Sequence, residues 1–167
     1  MENPTNALTT VDAKDGQTVS MVGDTYRIVM SGEQTGGVYA AIDMLIPPGG
    51  GPGPHSHAAV QESFYVVDGE VEIKTEAATY TAGKGTFVNI PLGGLVHQFK
   101  NKTNETAHLL CVVTPSGMEK MFEAMGKPVP LGEFLPASPP NPDEQKRMQE
   151  IAEKYGQKLF PPDYLDK

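Results

Sequence analysis

From Thr18 to Thr114 apolar residues tend to recur at alternate positions in short runs, each closed by a cluster of turn-forming residues. A period of two is the mark of a strand with one face buried. The pattern predicts strands at Thr18–Val22, Thr25–Met30, Val38–Ile46, Glu62–Val67, Glu70–Thr75, Thr79–Thr81, Thr86–Ile90, His97–Asn101 and His108–Thr114. The segment from Pro47 to Pro54 consists only of proline and glycine, cannot pair inside a sheet, and is expected to be a loop that ends on His55. Asp68-Gly69 predicts a tight hairpin. Many short strands in close succession predict an all-β sandwich or barrel.

After Thr114 the period changes to that of a helix. Ser116-Gly-Met-Glu119 has the form of a capping box, and Met118, Met121, Phe122 and Met125 follow at helical spacing. Residues 127–141 are proline-rich and read as an extended connection. Asn141-Pro142-Asp143-Glu144 then predicts a second helix start, with Met148, Ile151, Ala152 and Tyr155 on its apolar face and Gly156 at its end. The expected organisation is a flexible arm over residues 1–15, one β-barrel over 16–115, and a helical extension over 116–167 packed on the barrel or on a partner.

Composition narrows the functional classes. A chain of 167 residues suits one domain. A net charge of −8 without a Lys/Arg cluster gives no footing for nucleic acid or an anionic membrane. No apolar run reaches the ~18 residues of a membrane span, and the N-terminus lacks the basic start and apolar core of a secretory signal, so the cytoplasm is the expected compartment. The single Cys111 allows no internal disulfide, and its place in Leu109–Val113 reads as a small core residue.

Three of the four histidines form one pattern: His55 and His57, then Glu62, then His97. Residues two apart on an extended segment point to the same side, so His55 and His57 aim two imidazoles at one point. Glu62 opens the next strand beside them, and His97 opens a later one. Three neutral imidazoles and a carboxylate suit a divalent transition metal (Fe, Mn, Ni, Co or Zn) and leave coordination positions open, as a catalytic site requires. His108 has no such partners and reads as a structural or surface residue.

The block His55-x-His57-x4-Glu62-x6-Gly69 resembles the first motif of the cupin superfamily. Gly85, Pro91, Gly93, His97 and Asn101 resemble the second, with one extra residue between Gly93 and His97. The resemblance implies a cupin double-stranded β-helix, or jelly-roll, barrel with one or two C-terminal helices. Within the superfamily the chain is similar to single-barrel quercetinase-like proteins, both in the Glu62–Gly69 hairpin and in Pro115–Gly126, a segment that in that group packs as a helix near the barrel. Those relatives are flavonol dioxygenases that use Fe, Mn, Co or Ni. The resemblance therefore implies His55, His57 and His97 as metal ligands, Glu62 as ligand and general base, a small-molecule substrate, and a homodimer. The arm or Thr18–Val22 is the expected pairing edge. A planar aromatic substrate needs an apolar pocket, for which Met44, Ile46, Phe64, Phe87, Phe99, Met121, Phe122 and Met125 are the candidates. Since cupins with this ligand set also include isomerases, decarboxylases and non-catalytic binders, a non-oxidative or purely binding role is the alternative.

Overall fold

Alternation along the strands is realised as two facing antiparallel sheets. The computed structural model describes residues 7–139 and 141–166. Its strands are β1 (Gln17–Met21), β2 (Asp24–Met30), β3 (Ala40–Ile46), β4 (His55–His57), β5 (Gln61–Asp68), β6 (Glu70–Thr75), β7 (Thr79–Gly83), β8 (Phe87–Ile90), β9 (His97–Lys100), β10 (Ala107–Thr114), β11 (Lys127–Pro128) and β12 (Gln157–Leu159). The helices are α1 (Met118–Met125) and α2 (Pro142–Lys154). One sheet has the order β11-β1-β2-β3-β10-β5-β8, the other β12-β4-β9-β6-β7. Every pairing is antiparallel.

Strand register stacks the inward side chains in layers. Ile46 pairs with Ala107 at one end of the barrel. Met44, Leu109 and Val66 follow, with Tyr26 opposite Met44. Ile42, Cys111 and Phe64 come next. Ala40, Val113, Glu62 and Ile90 form the last layer. All of these residues are buried. The Glu62 carboxylate therefore stands at the end of the barrel farthest from Ile46, above layers of mostly apolar side chains.

Several details depart from the sequence pattern. β3 begins at Ala40, leaving Val38 and Tyr39 exposed in the preceding loop. The outer edge of β1 is paired within the chain, Val19 with Pro128 and Ser20 with Lys127, so Thr18–Val22 is not a free edge for a second copy. The first six residues of the expected flexible arm lie outside the described residues. Farther along it, the Arg27 guanidinium donates to the carbonyls of Asp12 (3.4 Å), Ala13 (3.1 Å) and Asp15 (3.1 Å). At α1 the cap is Gly117 rather than Ser116, because the Glu119 carboxylate turns back to accept from the Gly117 N–H (2.6 Å) and the Gly32 N–H (2.9 Å). α2 starts as expected, with the Asn141 side chain accepting from the Asp143 N–H at 2.9 Å. The apolar face of α1 packs on the sheet, where Phe122 stacks on Tyr26 at 4.8 Å between centroids. No described helix is long and apolar enough to cross a membrane.

Candidate metal centre

His55 and His57 are the ends of a three-residue strand whose position is set from both sides. On its N-terminal side the Pro/Gly loop is pinned to its surroundings. Both oxygens of the Asp24 carboxylate accept from the Gly51 N–H (3.0 and 3.1 Å), Lys100 Nζ donates to the Gly51 carbonyl (2.6 Å), and backbone bonds join Asn101 to Gly49 (2.8 Å) and Gly50 (3.0 Å). A Cβ on Gly51 would run into the Phe99 carbonyl, so this approach is open only to glycine. Along its length β4 pairs with β12, and His55 also lies opposite His97 on β9.

The extra residue before His97 is absorbed in the turn. Gly93 and Gly94 take successive positive φ values of 109° and 83°, and the Gly93 N–H donates to the Ala58 carbonyl at 2.9 Å. His97 consequently enters β9 facing the barrel. Asn101, the last residue of that motif, is buried and fully bonded. Its Nδ2 donates to the carbonyls of Ile46 (2.8 Å) and Glu105 (2.6 Å), and its Oδ1 accepts from the Thr103 N–H (2.9 Å) and hydroxyl (2.7 Å).

The four candidate ligands converge. His55, His57, Glu62 and His97 are 7, 2, 4 and 1% exposed, and each offers a ligand atom within 4.8 Å of the others. Each ring uses Nδ1 in the same way, at 2.9 Å from a backbone carbonyl: Gly53 for His55, Val60 for His57, Leu95 for His97. A carbonyl only accepts, so each Nδ1 carries a ring proton, and each Nε2 either presents a lone pair, in the neutral ring, or donates to Glu62, in the protonated one. Glu62 Oε2 lies 3.1 Å from His57 Nε2 and 3.4 Å from His97 Nε2. Neutral imidazoles and a carboxylate at this separation are acceptors facing acceptors. Only a proton or a metal cation relieves the repulsion, and the outer hydrogen bonds that fix the rings are those expected of metal-ligating histidines.

Electrostatics agree with a site that attracts positive charge. Burial, reinforced by the neighbouring His97, pushes His55 down to about 4, so it stays neutral and available as a ligand near neutral pH. Burial also disfavours charge on His57, but hydrogen bonding to Glu62 and the Glu62 charge outweigh it and raise the group. Burial would raise Glu62; hydrogen bonds from His57 and His97 hold it instead well below the usual carboxylate range. The set could hold a divalent metal ion, and its His/Glu chemistry does not select one element.

The remaining sequence candidates lie elsewhere. Met44, Phe64 and Phe99 are buried core below the site, with the two phenyl rings 5.5 Å apart, and Ile46 closes the opposite end. Phe87 stands on the outer face of its sheet, 66% exposed, beside Tyr65. Met121, Phe122 and Met125 form the buried face of α1. His108 is outside the barrel and pairs with Asp43, which also meets Arg27. Cys111 is the buried core residue its sequence context predicts, but sequence reasoning missed that its thiol lies 3.3 Å from Glu62 Oε1, and it passed over Asp24. Cys111 has the inward parity of Leu109 and Val113, but its contact with Glu62 depends on the register of β10 against β5.

Residues 42–113 match the Cupin domain family. The chain is 25% identical over 114 residues to quercetin 2,3-dioxygenase of Bacillus subtilis (strain 168), covering 68% of this chain and 33% of that protein, so it spans about a third of the curated relative's length. Among solved structures it is similar to the polyketide cyclase RemF of Streptomyces resistomycificus, with a TM-score of 0.58 and 16% identity over 87% of this chain and 97% of that one. It is also similar to a cupin-superfamily sugar phosphate isomerase of Silicibacter pomeroyi DSS-3, with a TM-score of 0.56 and 20% identity over 64% of this chain and 75% of that one. At such identities the structural likeness speaks for the fold. With both motifs folded onto one jelly-roll end and the family match spanning them, residues 42–113 form a cupin domain.

Proposed function

We propose that this cupin is a metal-dependent dioxygenase acting on a flavonol-like or other enolisable aromatic small molecule. The observation that carries the reading is the convergence of three imidazoles, each held through Nδ1, and the Glu62 carboxylate at one buried point. The likeness to quercetin 2,3-dioxygenase supports the choice among cupin reactions. A divalent transition metal held there supplies Lewis acidity toward a substrate oxygen and one-electron chemistry toward dioxygen. The protein's own part is to hold the three imidazoles by their Nδ1–H bonds and to keep Glu62 ionised as acceptor for an acidic enol proton. The apolar layers beneath keep water out of the barrel floor. Exposed Val38, Tyr39, Leu92 and Leu95 lie on the loops that run into Ala40 and His97, at the same end as Glu62, and suit the rim of an apolar mouth.

The test is anaerobic incubation of Fe(II)- or Ni(II)-loaded protein with quercetin, followed by admission of air. The flavonol absorption band should bleach only after oxygen enters. Glu62→Gln should retain some metal and lose turnover; full activity in that variant would remove the proton-acceptor role. Absence of turnover across flavonols and diketones with every first-row metal would leave the non-oxidative or binding role in its place.

A further inference from the structure

Glu62 has two oxygens, and the structure divides them. Oε2 faces His57 and His97. Oε1 turns down the barrel to Cys111, whose Sγ lies 3.3 Å away. A carboxylate can only accept, so the thiol S–H is the donor. Cys111 sits on β10 opposite Phe64, one inward position below the Val113–Glu62 pair, and is fully buried.

From this geometry we infer that Cys111 is a positioning residue: its thiol ties down Oε1 so that Glu62 meets a cation through Oε2 alone. The inference rests on the metal-site reading above. To coordinate through both oxygens the carboxylate would have to swing Oε1 toward the imidazoles and break the thiol bond. Ile42 and Phe64, which flank Cys111 across the sheet, offer no replacement donor. With the donor removed, Oε1 becomes a buried charged oxygen lacking that bond, and turning toward the cation is the remaining way to satisfy it. A one-oxygen carboxylate keeps a coordination position free for substrate. The thiol thereby helps decide how many positions the site leaves open.

The test loads wild type, Cys111→Ala, Cys111→Val and Cys111→Ser with Co(II), and reads visible d–d absorption and Co(II) affinity, with the melting of the metal-free proteins as a folding control. Two donor-free variants are used because either one alone could fail to fold. In the alanine and valine proteins the d–d band should shift and lose intensity as the coordination number rises, and Co(II) should bind about 10-fold more tightly, because the cation satisfies an oxygen that is left unpaired in the metal-free variants. Serine keeps a donor and should restore the wild-type band. The role is overturned if alanine and valine leave spectrum and affinity unchanged while only melting falls. It is equally overturned if serine shifts the band as far as alanine does, because side-chain volume would then be the cause. Folded wild type that binds no Co(II) would overturn the metal centre itself, and with it this role; wild type that binds while the variants match it counts against Cys111 alone.

Discussion

Asp24 is a buried carboxylate with no cation in contact among the described residues, held by the Tyr26 hydroxyl at 2.8 Å and by the Gly51 N–H. Burial pushes it up from 3.8 to about 6, against the hydrogen bonds from Tyr26 and Gly51 and the charge of Lys100. Between those two values the folded protein binds more protons than the unfolded chain. Asp24 therefore contributes stability that is present below pH 3.8 and lost as pH rises through about 6. A shift of this size corresponds to about 3 kcal/mol. Asp24→Asn removes the titration and keeps an acceptor for Gly51. Relative to wild type, the variant should gain stability as pH rises from 4 to 7, as read by urea unfolding at each pH. A constant difference would show that Asp24 does not titrate in this window. His55, at about 4, also changes protonation at the lower end of this range, which is why the measurement is a difference at matched pH. At this scale the four candidate ligands were legible from strand parity and motif spacing. Asp24 and Cys111 were not, because their partners Gly51 and Glu62 are fixed by loop contacts and strand register that no local pattern encodes.

Strands with alternating inward side chains were legible as elements, and Glu70–Thr75 coincides with β6 to the residue. β12 was not. Three residues after a helix-ending glycine carry too little periodicity, and their partner lies about a hundred positions earlier in the chain. Yet β12 forms one wall of the strand that bears two of the four candidate ligands, with Gln157 opposite His57 and Leu159 opposite His55. The Phe160 N–H donates to the Pro54 carbonyl at 3.0 Å, and Lys158 has the same parity, which directs its N–H toward Ser56. Lys158→Pro should break that ladder bond, at a cost of about 1–3 kcal/mol in stability. It should also weaken Co(II) binding, since β4 would lose the edge that aligns its histidines. Both are measurable on the same protein, by urea unfolding and by metal titration. Unchanged affinity alongside reduced stability would show that β9 and the Pro/Gly loop align β4 without help from the C-terminal extension.

The buried ring of three imidazoles and a carboxylate sets a condition on the whole molecule: with neither a proton nor a cation between them, the end of the barrel that joins both sheets is held against mutual repulsion. A metal that binds only the folded chain adds about 2.7 kcal/mol at a free concentration 100 times its Kd. For a domain of this size each kcal/mol moves Tm by about 2–4 °C, so chelator-treated protein should melt roughly 5–11 °C below protein resupplied with a tightly bound divalent metal. The difference should also depend on pH. His57 is held above its ordinary value by Glu62, so binding there displaces a proton more often as the solution becomes more acidic. The metal-dependent increment in Tm should therefore shrink from pH 8 to pH 6, while His108, outside the barrel, contributes nothing to it. Scanning calorimetry of wild type and His97→Ala, with and without metal, checks both parts. If His97→Ala keeps the full increment, the ion sits somewhere other than between the two cupin motifs.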